Sequence, residues 1–182
     1  MKLKLIKKTK ENHCRGFTLV EMLVAMTIFS IAVSIATALL VSTFQLYQYN
    51  SQYQSLLSQT SYAAEYMSRA LRMAANSNAC GFNGNYEVSG DSSIKFFNSN
   101  DGKCWKFYLT SDGKLEVEID GNSYNLISPE KFNVNNFKID VNNNSGQPRV
   151  TFYLDVRAKS NTLVSKPKIK IQTTVSQRNL NE

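Results

Sequence analysis

The chain has 182 residues, 42% of them hydrophobic and 19% charged, enough for one globular domain with an appendage or two very small domains, and too apolar for a disordered polyelectrolyte. Its formal charge of +7 comes from 21 Lys and Arg against 14 Asp and Glu. Six of those bases and one acid fall in residues 1–16, so the rest carries a net of only +2 and little electrostatic reason to bind nucleic acid. The single histidine, His13, lies in that basic arm, which excludes a His-based metal site or a Ser-His-Asp triad in the body.

From Phe17 to Ala64 the one charged residue is Glu21, and residues 17–44 are almost wholly apolar without Gly or Pro. A helix needs about 20 such residues to cross a bilayer. With the positive arm held on the cytoplasmic side, the expectation is one anchor, N-terminus in and C-terminal domain out. A secretory signal peptide is the alternative, with Ala36-Thr37-Ala38 as its cleavage pattern. Against it, the apolar run exceeds the usual ~7–15 residues of such a signal. Glu21 also goes unexplained there, since a carboxylate in an apolar helix costs roughly 2.5–3.5 kcal/mol on insertion scales. A snorkelling or protonated carboxyl without a role is the alternative for that residue.

The segment Arg15-Gly16-Phe17-Thr18-Leu19-Val20-Glu21-Met22-Leu23 resembles the N-terminal signature of type IV prepilins and the related pseudopilins. The resemblance covers the first 30 to 40 residues or so. It implies that a prepilin peptidase cuts between Gly16 and Phe17, that the new N-terminus at Phe17 is N-methylated, and that Glu21 pairs with the N-terminal amine of a neighbouring subunit during assembly. It further implies other pilin or pseudopilin subunits and an inner-membrane assembly platform as partners, and no cofactor. Glycine suits the cleaved bond because an active site can grip its backbone closely. Many filament pilins carry a helix-breaking Pro near what is here Ala38; this chain has none there.

Beyond the apolar run, Tyr49, Tyr53, Leu56, Thr60, Ala63, Met67, Ala70 and Ala74 recur at spacings of three and four, one face of an amphipathic helix. Asn76, Asn78, Gly81 and Gly84 are stop signals, so the helix is expected over Phe17–Asn76. The tyrosines at 47, 49, 53, 62 and 66 read as core residues, with a ligand platform as the alternative. After residue 93 the period changes to two. Ile94–Phe97, Trp105–Leu109, Leu115–Ile119, Phe137–Val141, Arg149–Arg157 and Ile169–Val175 read as strands. Asp101-Gly102, Asp112-Gly113 and Asp120-Gly121 have the composition of tight hairpin turns. Pro167 opens the last strand, and Ser176-Gln177-Arg178-Asn179 reads as a polar end at the sheet edge. The expected fold is α+β: a long helix, membrane-spanning then amphipathic, packed on a mainly antiparallel sheet. The expected division is a leader at 1–16, an anchor at 17–44, the outer helix at 45–76 and a β-rich extracytoplasmic domain at 77–182.

Cys14 would be lost with the leader, leaving Cys80 and Cys104, an even pair in a segment expected outside the cytoplasm. They read as a disulfide, with two buried free thiols as the alternative. No phosphate loop, Cys-x-x-Cys or calcium-loop motif occurs. No catalytic residue or metal ligand is therefore expected, and the chain reads as a structural subunit rather than an enzyme. A minor pilin, a pseudopilin of a type II secretion or competence DNA-uptake system, and a membrane-anchored binding module are the functions left open.

Overall fold

The computed structural model describes residues 16–142, 147–159 and 166–178. The leader before Gly16, with His13 and Cys14, and the terminal stretch from Asn179 lie outside the described residues. One helix, α1 (Leu19–Arg72), is followed by a 3-10 turn (Asn78–Cys80) and nine strands. The chain divides between Phe44 and Gln45 into two compact units.

The first unit is the leading part of α1. Every residue from Gly16 to Tyr47 is exposed, including Leu19, Val20, Ile28, Phe29 and Leu40. Such a surface is poorly solvated by water and asks for lipid or neighbouring helices.

In the second unit α1 turns one face inward. Leu56, Thr60, Ala63, Met67 and Ala70, all on the stripe read from the sequence, are buried, together with Ala64 and Leu71. Buried Thr60 satisfies its hydroxyl on the carbonyl of Leu56 at 2.7 Å. Tyr49 and Tyr53 stack on each other before this packed stretch, with ring centroids 6.4 Å apart. The aromatic stripe is thus split. Tyr66 joins the core rim against Trp105 at 5.8 Å, while Tyr47 and Tyr62 stay exposed.

The helix stops at Arg72, four residues before the expected Asn76. Its last carbonyls, orphaned by the geometry of any helix end, find donors elsewhere in the chain. The Tyr86 hydroxyl donates to Leu71 O, the Arg178 amide to Arg72 O, the Ser99 amide to Met73 O and the Gln177 side-chain amide to Ala74 O. These bonds draw the chain into β1 (Ala74–Ala75), which pairs with Asn98 and Phe97. Tertiary hydrogen bonding thereby overrides the helix preference of the Met-Ala-Ala stretch.

The strands form two antiparallel sheets rather than one. In the first, β1, β3 (Ser93–Asn98), β4 (Lys103–Leu109), β5 (Leu115–Ile119) and β6 (Asn122–Asn125) lie in that order, and β2 (Glu87–Val88) also pairs with β3. In the second, β7 (Phe132–Asn142), β8 (Arg149–Ala158) and β9 (Lys168–Ser176) follow in sequence order. The break comes after β6, where Ser128 and Pro129 turn the chain. Single bonds, Val134 N to Gly113 O and Ile139 N to Asp91 O, then link β7 to the first sheet in place of a ladder. A register shift between Val134 and Asn136 bends β7 further.

The three Asp-Gly pairs close the β3–β4, β4–β5 and β5–β6 hairpins. At the last of these Asp120 and Gly121 both have positive φ, 52° and 84°, the backbone of a two-residue type I′ turn. Gly113 also has a positive φ, 73°, and a Cβ there would meet Asn133 Oδ1 at 2.2 Å, so that side chain would have to move aside. The apolar faces of both sheets and of the outer helix share one core, in which Phe96, Phe107, Phe137, Phe152, Met67 and Leu154 are fully buried. One long helix packed on antiparallel sheets is an α+β layout.

Candidate functional site: the N-terminal helix start and the tied loop

Thr18 and Glu21 set the beginning of α1. The Met22 amide donates to Thr18 O at 3.2 Å, the first helical bond. The Glu21 amide donates to Thr18 Oγ1 at 3.3 Å, and that hydroxyl donates to Glu21 Oε2 at 3.4 Å. This is the capping-box spacing, Thr-x-x-Glu, with the carboxylate three positions into the helix. A negative charge in the first turn also complements the partial positive charge of the helix N-terminus. Glu21 thus has a local role in addition to the inter-subunit role that the resemblance implies. The signal for it, Thr18 three residues before Glu21, stands in the sequence and was not among the expectations drawn from it.

Gly16 and Phe17 precede the helix in an exposed segment without regular secondary structure. A Cβ added to Gly16 meets nothing within 4 Å, so the fold makes no steric demand for glycine there. Phe17 is 72% exposed.

Along the apolar helix the hydroxyl side chains bond back to their own backbone. Ser30 donates to Met26 O, Ser34 to Ser30 O, Thr37 to Val33 O and Thr43 to Leu39 O, at 2.8 to 3.0 Å. Bonds of this kind let Ser and Thr enter an apolar medium without an unsatisfied donor. The helix is long and apolar enough to span a bilayer. It is the one such helix among the described residues.

At the far end of α1, Cys80 and Cys104 form a disulfide, their Cα atoms 5.6 Å apart. Cys80 closes the 3-10 turn, capped by Ser77 Oγ accepting from the Ala79 amide and by Gly81 at φ 80°. Cys104 lies on β4 opposite Phe97 of β3. The bond ties the segment that follows the helix to the first sheet. Beside it the Trp105 indole N–H donates to Asp101 Oδ2 at 2.9 Å. Burial pushes the Tyr66 phenol above its ordinary value, helped by Tyr62 and Asp101. Burial alone does the same, more strongly, for Tyr86. The structure therefore separates the sequence-derived residues into two places, Gly16, Phe17 and Glu21 at the helix start and Cys80 and Cys104 in the domain. Among the described residues no three His, Cys, Asp or Glu side chains gather as a metal-binding set.

Neither the curated proteins nor the solved structures give a match to this chain. Residues 12–37 match the family model of the prokaryotic N-terminal methylation motif, a segment that contains Gly16, Phe17, Thr18 and Glu21. The chain carries a type IV pilin-like N-terminal signature, placed at the start of an apolar helix that continues into an α+β domain.

Proposed function

We propose that the protein is a minor structural subunit of a type IV pilus-like filament, made as a prepilin and assembled through its N-terminal helix. The single observation that carries this reading is the methylation motif at residues 12–37, lying where the basic leader gives way to an apolar helix. Prepilin peptidase removes residues 1–16 on the cytoplasmic side, and Phe17 becomes the methylated N-terminus. The helix holds the chain in the membrane with its C-terminal domain outside until it is drawn into a filament. In the apolar interior of such a bundle, the Glu21 carboxylate matches the amine of a neighbouring Phe17. Each charge then has a partner where an unmatched one would be costly. The role is assembly, not catalysis. Pseudopilins of type II secretion and competence systems share this motif and processing, so the same observation favours them as the second reading.

Mass spectrometry of the chain purified from its host tests the reading. The expected product begins at Phe17 and is heavier by one methyl group. Gly16→Asp should leave the leader attached. A mature terminus at Leu39 or later would assign the segment to a secretory signal and overturn the proposal.

A further inference from the structure

The near-neutral total after the leader hides a strong separation of charge. Residues 45–130 carry six basic and nine acidic side chains, whereas residues 131–178 carry nine basic and two acidic ones. The second sheet gathers most of that excess at one end. Register pairs Arg157 with Lys168 and Asp155 with Lys170. The Ala158 amide donates to Pro167 O and the Lys159 amide to Lys131 O, which brings Lys131, Lys159 and Lys166 to the rim beyond that pair. All six cations are exposed. Against them stand Glu130 and Asp155, and the ion pair found among these groups is Lys170 with Asp155 at 3.8 Å. Lys159 Nζ also donates to Pro129 O, a contact that holds its position without neutralising its charge.

The place of this cluster in the second unit gives it a meaning. Lys131 and Lys159 line a recess of 410 Å³ whose other wall is Ser51, Gln52 and Ser55 of α1. Leu56 is the first residue of the helix to be buried. The cluster therefore sits at the end of the domain where the helix enters. Ser51 comes seven residues after Phe44, about 10 Å of helix rise. The apolar run of residues 17–44, charged only at Glu21, extends about 42 Å as a helix, the thickness of a bilayer with its headgroups. Those seven residues tether this end of the domain to the headgroup layer, and even fully extended they span at most about 25 Å, whatever angle the two units make.

We propose that this basic rim docks on the anionic phospholipid headgroups of the membrane in which the helix is anchored, holding the domain against the bilayer before assembly. The proposal rests on the anchor reading above. Each lysine near an anionic surface is drawn to it, and the anchor supplies the high local concentration that makes weak attractions effective. Filament entry must then release these contacts, which makes lipid charge a control on assembly.

The test uses the processed full-length chain in vesicles of phosphatidylcholine, with or without phosphatidylglycerol, and reads lysine acetylation by mass spectrometry. Retention of the protein after alkaline carbonate washing reports the anchor; loss in the wash would overturn the anchor reading itself. With the chain retained, Lys131, Lys159, Lys166 and Lys168 should label about fivefold more slowly in vesicles containing phosphatidylglycerol. Lys103 and Lys106 of β4 in the first sheet should be unaffected. Protection should vanish at about 0.5 M NaCl, where screening is strong, and in the exposed double variant Lys166→Glu/Lys168→Glu. Unchanged urea unfolding, followed through the fluorescence of Trp105, would show that this variant is folded. Equal labelling in both vesicles would overturn the proposal. So would protection that appears only on adding a soluble polyanion such as duplex DNA or an acidic protein.

Discussion

Breaking the Cys80–Cys104 bond should destabilise the domain through the unfolded chain rather than through lost contacts. The bond spans a sequence separation of 24 residues, and the chain-entropy relation assigns about 3.5 kcal/mol to a ring of that size at 25 °C. The folded state changes little on its removal. Cys104 remains in the β3–β4 ladder opposite Phe97, and the Ser77 and Gly81 caps hold the turn that carries Cys80. Alanine is the suitable replacement at both positions, because Cys80 is only 6% exposed and a serine hydroxyl there would be buried. Urea unfolding of the processed chain in micelles can be followed through Trp105, the single tryptophan, which packs against Tyr66, Phe96 and Phe107. With a slope of ~1–3 kcal/mol per molar urea, the double-alanine variant should lose about 1–3 M in its midpoint. The slope itself should rise, because an unlinked chain exposes more surface on unfolding. A midpoint unchanged within about 0.3 M at constant slope would refute the reasoning.

Gly113→Ala places a side chain on a left-handed residue and against Asn133 Oδ1, and should lower stability by roughly 1–3 kcal/mol in the same urea assay. Gln177→Ala removes the buried donor to Ala74 O at a cost of about 1–3 kcal/mol. Amide exchange at Ala74 and Ala75 should quicken, and an unchanged exchange pattern would show that the Gln177 bond does not hold β1 in place. Tyr86 and Tyr66 are held neutral by burial, so the stability they contribute is complete below pH ~10 and falls above it as the unfolded chain ionises. Tyr86→Phe should cost about 1 kcal/mol at neutral pH, by losing the bond to Leu71 O. It should also flatten the fall in stability above pH ~10; an identical alkaline slope would exclude Tyr86 as its source.

The strands and the inner face of the helix were legible because each obeys a local period. Residues 56, 60, 63, 67 and 70 are buried as their spacing requires, and the Asp-Gly pairs turn where glycine relieves a positive φ. The helix end was not legible. Its carbonyls are satisfied by Tyr86, Ser99, Gln177 and Arg178, the last two more than 100 residues away, and no local signal announces partners at that range. β6 escaped because Asn-Ser-Tyr-Asn has no apolar alternation; all four residues are exposed and the turn at Asp120-Gly121 alone sets their register. The two-sheet division depends on Ser128-Pro129 and the bend in β7, both silent in a binary pattern. The basic rim was present in the sequence but disappears in a sum, because residues 45–130 are acidic enough to cancel it. At the N-terminus the position of Glu21 was readable, and its bond to Thr18 adds a helix cap that the inter-subunit reading alone does not require.

Assembly through the N-terminal helix is tested most directly by the amount of this chain in filaments purified from its host, for wild type and for Glu21→Gln at matched membrane levels. Glutamine keeps an acceptor for the Thr18 hydroxyl and removes the charge, so the helix start and the Gly16–Phe17 bond are left as they are. The account predicts that both proteins are processed, and that the wild type co-purifies as a sparse component. The variant should fall by about tenfold or more, because a neighbouring amine then stands unmatched in an apolar bundle. Equal incorporation of the two, or absence of the wild-type chain from every filament fraction, would contradict it.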